Sequence, residues 1–238
     1  MTGCYGRSVP LAGKTALVTG TSRGLGHAIA RLFAADGARV LCHARTRKAA
    51  VDVAETVGGE PVWGDVSAQE GVLMVAGRTA AMAPALHVLV HNAGIGSPGG
   101  IDDHSWEQFE RVMAVNAAAP LFLTQALLGP LRAAGREGRI VVVSSDSGQF
   151  SVPKNGVAFP YRMSKAAVNM LTINLAAALA EDGILVNAMH PGWIRTDMGG
   201  PDAPVAPEQA AETARYLASL PAGGPTGRLW QDTRPIDW

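Results

Sequence analysis

Short apolar runs alternate along this chain with longer stretches in which apolar residues recur every three or four positions. The first kind reads as strands buried on both faces and the second as amphipathic helices. Residues 15–19 form the first such run. Residues 24–36 follow as a helix, with Leu25, Ile29, Leu32 and Phe33 on one face and Gly37 as its stop. A second strand is expected at 39–43, and then a helix capped by Thr46 that runs to about Val57. A short strand at 61–64, a helix at 67–82 and a strand at 86–91 continue the alternation. Helical spacing returns at 105–134, bent or broken near Pro120. A strand at 140–144, a long helix at 161–181, a strand at 184–190 and a helix at 207–220 lead to a last edge strand at 227–230.

Strands that are apolar throughout, each followed by a helix, predict a parallel sheet covered on both faces. Right-handed crossovers then make the chain an α/β protein. Its expected architecture is one doubly wound, Rossmann-type domain with a parallel sheet of about seven strands and helices on both faces. No internal repeat, linker or break in composition divides it, so 1–238 is expected to be a single domain, with 1–12 as an N-terminal extension.

Composition narrows the function classes. Apolar residues make up 47% of the 238 and aromatics 5%, so the core is mainly aliphatic. Lys plus Arg equals Asp plus Glu at 20 each, which disfavours a nucleic-acid partner despite the short basic run at 45–48. Cys4 and Cys42 are too few for a disulfide framework or a structural zinc site, and no metal is expected. No run is long enough for a membrane span, and the first residues lack the apolar segment of a signal peptide. A cytoplasmic protein with reduced thiols is the expectation.

Gly20, Gly24 and Gly26 stand between the first strand and the first helix, in Thr19-Gly20-Thr21-Ser22-Arg23-Gly24-Leu25-Gly26. Glycines there allow a tight turn and a close approach of backbone to a pyrophosphate, while the helix N-terminus offers free amides. No Gly-Lys-Ser/Thr follows, which disfavours a nucleoside-triphosphate loop. An acidic residue after the second strand would favour NAD(H). This chain has His43-Ala44-Arg45 instead. Arg45 and Arg23 could both face a 2′-phosphate, so NADP(H) is the expected cofactor.

Tyr161 and Lys165 are four residues apart on the long helix, just over one turn, so both can project from one face. An ammonium beside a phenol should lower the phenol's pKa from about 10 and make it a proton donor and acceptor usable near neutral pH.

These residues resemble the short-chain dehydrogenase/reductase family over nearly the whole chain, with a tail similar to carbonyl-reductase-type members. The resemblance adds Asp65 and Val66 after the third strand as adenine contacts, and Asn92, Ala93 and Gly94 after the fourth. It adds Asn116 in the helical stretch, Ser145 after the fifth strand, and Pro191, Gly192, Ile194 and Thr196 around the nicotinamide carboxamide. Ser22 and Leu25 belong to its cofactor turn. Ser144 competes with Ser145 for the serine role; Ser145 is preferred because it lies three residues before Gly148. Asn92 is expected to fix the sheet turn rather than touch substrate.

The activity so implied is NADP(H)-dependent interconversion of a carbonyl (a ketone or aldehyde) and an alcohol, in the manner of carbonyl reductases and ketoreductases. Tyr161 would be the general acid/base and Ser145 would orient the carbonyl oxygen. Lys165 would tune Tyr161 and hold the nicotinamide ribose, and Asn116 would hold a water that links Lys165 to solvent. Candidates for the substrate wall are Asp146, Gln149, Phe150, Val152, Phe159, Trp193 and Met198, with 192–206 as a substrate lid. The late loops lack a cationic pair, which favours a neutral small-molecule carbonyl or alcohol. The helical stretches at 105–134 and 161–181 could build a homodimer, whereas the unusual tail makes the family's tetramer doubtful. A non-redox lyase or epimerase on the same fold and a non-catalytic dinucleotide-binding protein remain alternatives.

Overall fold

Strands with no polar interruption can be buried on both faces only inside a covered sheet, and that is where these lie. The computed structural model describes residues 11–238; Cys4 and most of the expected 1–12 extension lie outside the described residues. The strands are β1 (Thr15–Val18), β2 (Arg39–Ala44), β3 (Glu60–Trp63), β4 (Val88–His91), β5 (Arg139–Val143), β6 (Leu185–Met189), β7 (Leu229–Gln231) and β8 (Arg234–Ile236). The helices are α1 (Gly24–Ala35), α2 (Arg47–Val57), α3 (Gln69–Met82), α4 (Trp106–Met113), α5 (Ala119–Ala126), α6 (Leu128–Ala133), α7 (Phe159–Ala178) and α8 (Pro207–Ala218). The sheet order is β3-β2-β1-β4-β5-β6-β7-β8, parallel up to β7. The order reverses between β1 and β4, which opens a crevice at the carboxyl ends of the strands.

The strand period of two feeds two cores. Ala16 and Val18 of β1 pack with Ile29 and Phe33 of α1, Val53 of α2 and Leu217 of α8. Leu17, between them, packs on the other face with Val75 of α3, Leu123 of α5, Leu131 of α6 and Val168 of α7. The Thr46 hydroxyl accepts from the Ala49 amide at 3.3 Å and starts α2 where the polar pattern indicates.

Two elements depart from expectation. The stretch 105–134 is not one bent helix. Pro120 lies in the first turn of α5, where its missing N–H costs little; the irregularity precedes it as a π-helical turn over Ala114–Ala118, which carries Asn116. The second correction concerns the sheet edge. Leu229–Gln231 is covered by the antiparallel β8, so the sheet has eight strands rather than about seven. The hairpin turns at Asp232 and Thr233, both at positive φ (47° and 61°), without the glycine that usually announces such a turn. Pro235 is tolerated because β8 is the edge.

Candidate active site

The glycine turn is strapped to β4. The Thr19 hydroxyl donates to the Val90 carbonyl (3.1 Å) and accepts from the Asn92 and Ala93 amides (2.9 and 3.0 Å). The Asn92 side-chain amide donates to the carbonyls of Thr19 (2.8 Å) and Gly20 (3.1 Å), so Asn92 fixes the sheet turn. A Cβ on Gly26 would stand 2.2 Å from the Gly20 carbonyl oxygen and 2.3 Å from the Asn92 amide nitrogen. Gly20, at φ 71°, leaves no room for one either, since it would meet the Ala93 Cα at 2.9 Å. No side chain caps α1, and no acidic residue sits in its first turn, so its leading amides stay available to an anion.

His43 completes the strap. Its Nδ1 accepts from the Gly20 amide (3.1 Å), and Nε2 lies 2.9 Å from the Gly64 carbonyl, to which it donates. Burial holds its pKa down, against the pull of the Gly64 carbonyl and Asp65, so it is a neutral ring in one tautomer. Only its place at the end of a buried strand hinted at this role.

The mouth of the cleft beside α2 carries Arg45, Asp65 and Val66, together with Arg111 of α4, which sequence reasoning missed. Burial opposes the Asp65 carboxylate, but the Ser67 amide (3.0 Å) and hydroxyl (2.8 Å), with Arg45 and Arg111, hold it below its ordinary range. Arg23 lines the cleft as well. Its guanidinium pairs with Asp197 across the cleft at 2.9 Å, both side chains being more than 70% exposed (78% and 72%).

The corner at the end of β5 assembles from three elements. Asn116 ties the first to the second: its side-chain carbonyl accepts from the Ile95 amide (2.9 Å), and its amide donates to the Ile95 carbonyl (2.9 Å) and the Ser164 hydroxyl (3.0 Å). Ser164 donates to the Tyr161 carbonyl (2.7 Å), and the Ser97 hydroxyl accepts from the Tyr161 amide (2.9 Å). Tyr161 is thus positioned through backbone bonds from the loop after β4. Ser97 gave no local signal for this, because its partner lies 64 residues away.

The two neighbouring serines diverge. Ser144 donates to Asn169 of α7, inside the core. Ser145 faces the cleft that Tyr161 also lines, and its hydroxyl acts on the phenol's pKa. Lys165 lies on the Tyr161 face of α7, its Nζ 5.5 Å from the ring centroid, and donates to the Val143 carbonyl at 2.7 Å. Burial lowers the Lys165 pKa to about 8.

The phenol does not follow the expected direction. Burial raises its pKa, the Ser145 hydrogen bond works the other way, and the Asp146 charge adds to the rise. The Lys165 amine lies over the ring and donates a hydrogen bond to the Val143 carbonyl.

Trp193 and Met198 line the cleft and expose 58% and 56% of their surface, as wall residues would. Pro191, Gly192, Ile194 and Thr196 line it as well, as do Gly20, Ser22, Gly24, Leu25, Ala93 and Gly94. Four substrate candidates, Gln149, Phe150, Val152 and Phe159, lie outside its lining. Gln149 is buried and donates to the Asp237 carbonyl (2.6 Å). Phe150 is 87% exposed and its amide bonds the Trp238 carbonyl (3.3 Å). Phe159 stacks edge-on against His104. The last residues of the chain draw Gln149 and Phe150 away. The 192–206 segment is braced internally by an Ile194–Val205 bridge and by the Trp193 indole, which donates to the Gly199 carbonyl (2.7 Å). His190, unmarked in the sequence, enters the lining at the end of β6.

The cleft encloses about 970 Å³, the upper end of the range for ligand sites, and runs unbroken from Arg45 to Met198. Among the described residues no cluster of His, Cys, Asp and Glu is placed to hold a metal ion, and no helix is long and apolar enough to cross a membrane.

The family model described as short chain dehydrogenase matches residues 14–204. FixR of Bradyrhizobium diazoefficiens is 38% identical over 218 residues, covering 87% of this chain and 73% of the relative. The dehydrogenase/reductase SDR family member 4 of Bos taurus is 38% identical over 198 residues, covering 80% of this chain and 69% of the relative. The crystal structure of the landomycin C-6 ketoreductase LanV with bound NADP and rabelomycin superposes with a TM-score of 0.79 at 33% identity, over 96% of this chain and 98% of that one. With its glycine turn, its Tyr161–Lys165 helix and its crevice in place, the chain belongs to the short-chain dehydrogenase/reductase family of oxidoreductases.

Proposed function

We propose that this protein is an NADP(H)-dependent carbonyl reductase, interconverting a ketone or aldehyde and its alcohol. The observation that carries the reading is the meeting of Tyr161, Ser145 and Lys165 in the same cleft as an uncapped helix N-terminus and a glycine turn with no room for side chains. The residues fit a dinucleotide. The α1 amides and Ser22 would take the pyrophosphate, and Asn92 would keep the turn in shape. Arg45 would take the 2′-phosphate, and the LanV structure, solved with NADP, supports that choice. When bound, the nicotinamide supplies or accepts the hydride.

Tyr161 gives its phenolic proton to the carbonyl oxygen as the carbon accepts hydride; in oxidation it takes that proton back. Ser145 orients the same oxygen. Lys165, over the same ring and with its pKa near 8, would return a proton to the phenolate from Nζ. Asn116 spends its side chain holding Ile95 and Ser164, so any water it shares with Lys165 would meet its backbone. The exposed Leu121 and Phe122 of α5 and Met163, Met170 and Ile173 of α7 support a homodimer, to be read by sedimentation.

The test is cofactor consumption against a panel of ketones, aldehydes and cyclic alcohols with NADPH and NADH in parallel. Reduction with a clear NADPH preference, reversed toward NADH in Arg45→Glu, is expected. A product isomerised or cleaved with no net cofactor oxidation would replace this reading with the lyase or epimerase one. Equal use of both cofactors would remove Arg45 from its role.

A further inference from the structure

Ser145 carries one proton, and two acceptors compete for it. In the structure its hydroxyl donates to the Asp146 carboxylate at 2.9 Å while accepting from the Ser147 amide at 3.1 Å. One lone pair then remains for the Tyr161 phenol beside it. Asp146 is held in place from both sides of its backbone: its amide donates to His190 Nδ1 (3.2 Å), and its carbonyl accepts from Lys154 Nζ (3.0 Å). Its carboxylate lines the same cleft as Ser145, Tyr161 and His190.

We propose that Asp146 is a positioning residue that holds the site in its proton-donating form, by taking the Ser145 proton and by setting a negative charge beside the phenol. The two actions add. With the Ser145 proton on Asp146, a phenolate at Tyr161 loses its hydrogen-bond donor, whereas a neutral phenol can donate to the free lone pair. The charge itself disfavours a second anion nearby. Reduction needs the phenol protonated and oxidation needs it ionised, so Asp146 extends reduction to higher pH and delays oxidation.

The inference rests on Tyr161 being the proton-exchanging group. Asp146 is the charge that acts on the phenol; the other charged groups of this corner are Lys165 over the Tyr161 ring, Lys154 and His190 bonded to the Asp146 backbone, and Asp232 in the β7–β8 turn, which acts on His190. Lys154 and His190 keep their bonds to the Asp146 backbone in side-chain variants, and each loses the Asp146 charge that raises its pKa against burial.

Asp146→Asn removes the charge but keeps an acceptor for Ser145; Asp146→Ala removes both. The chain has three tyrosines, so the ultraviolet tyrosinate titration of the whole protein minus that of Tyr161→Phe isolates Tyr161 without any substrate. In parallel, the pH profile of alcohol oxidation is recorded on the same variants. In Asp146→Asn both midpoints should fall by about half to one pH unit, the size of one nearby, solvent-screened charge. In Asp146→Ala they should fall at least as far. Unmoved midpoints in both variants would overturn the proposal. Retention of oxidation in Tyr161→Phe would instead overturn the general-acid reading beneath it, and the two failures are therefore distinct.

Discussion

One strand begins and ends beside a buried cation, and the two cations are treated in opposite ways. At the start of β5, Arg139 spends its guanidinium on three backbone carbonyls: Leu220 (2.9 and 2.6 Å), Arg136 (2.9 Å) and Gly138 (2.7 Å). At its end, Lys165 donates to the Val143 carbonyl. Among the described residues, neither pairs with a carboxylate. Around Arg139 the polar groups are also committed to each other: Lys14 pairs with Glu137, and His87 accepts from the Thr15 amide at 3.1 Å. Around Lys165 they open into a cleft. A polar group saturated by backbone serves the fold, and one left partly unsatisfied in a dry corner has a perturbed pKa and is free for chemistry.

The sharpest way to break this comparison is at the open end. Tyr161→Phe should lower turnover about 10²–10⁴-fold with an unchanged melting temperature; steady-state kinetics beside thermal unfolding measure both, and near-normal turnover would remove Tyr161 from the chemistry. Next in size is the closed end. Arg139→Met strands three carbonyls and should cost about 3 kcal/mol in urea unfolding, with turnover per folded molecule preserved. A loss of activity without a loss of stability would invert the assignment of the two ends.

Lys165→Met should act with the opposite sign on stability. The folded pKa, about 8, lies below the ordinary 10.5. Below pH 8 both states hold the proton, and the folded one carries the whole burial penalty. Between 8 and 10.5 the unfolded chain binds more protons, so stability rises with pH. Met should therefore stabilise by about 1–2 kcal/mol at pH 7, a gain that shrinks as pH rises through that window, while turnover collapses. Destabilisation at pH 7 would show that the Val143 bond outweighs the penalty. The smallest effect is expected at the cleft mouth, where the exposed Arg23–Asp197 pair makes Arg23→Ala worth less than about 1 kcal/mol in the same unfolding assay.

The helix starts and the parallel, covered sheet were open to reading because they obey local rules. Thr46 caps α2 as its side chain permits, and the all-apolar strands leave no alternative to a covered parallel sheet. The β8 hairpin was not, since Asp232 and Thr233 adopt positive φ without glycine and are held there by pairing with β7. The π-helical turn at Asn116 was equally hidden. It adds one residue to a helical pattern, and the bonds from Asn116 to Ile95 and Ser164 span 21 and 48 positions.

What the chain by itself determined is therefore whatever neighbours within a few residues enforce: the alternation of elements, a glycine turn between a strand and a helix, and a phenol and an amine one helical turn apart. The tertiary structure alone decided where each polar group spends its protons. It sent Arg23 to Asp197, Gln149 to the chain's end, Lys165 to Val143 and the Ser145 proton to Asp146. Hydrogen bonds are directional and short in range, and most of these partners are brought within reach only by packing elements far apart in the sequence.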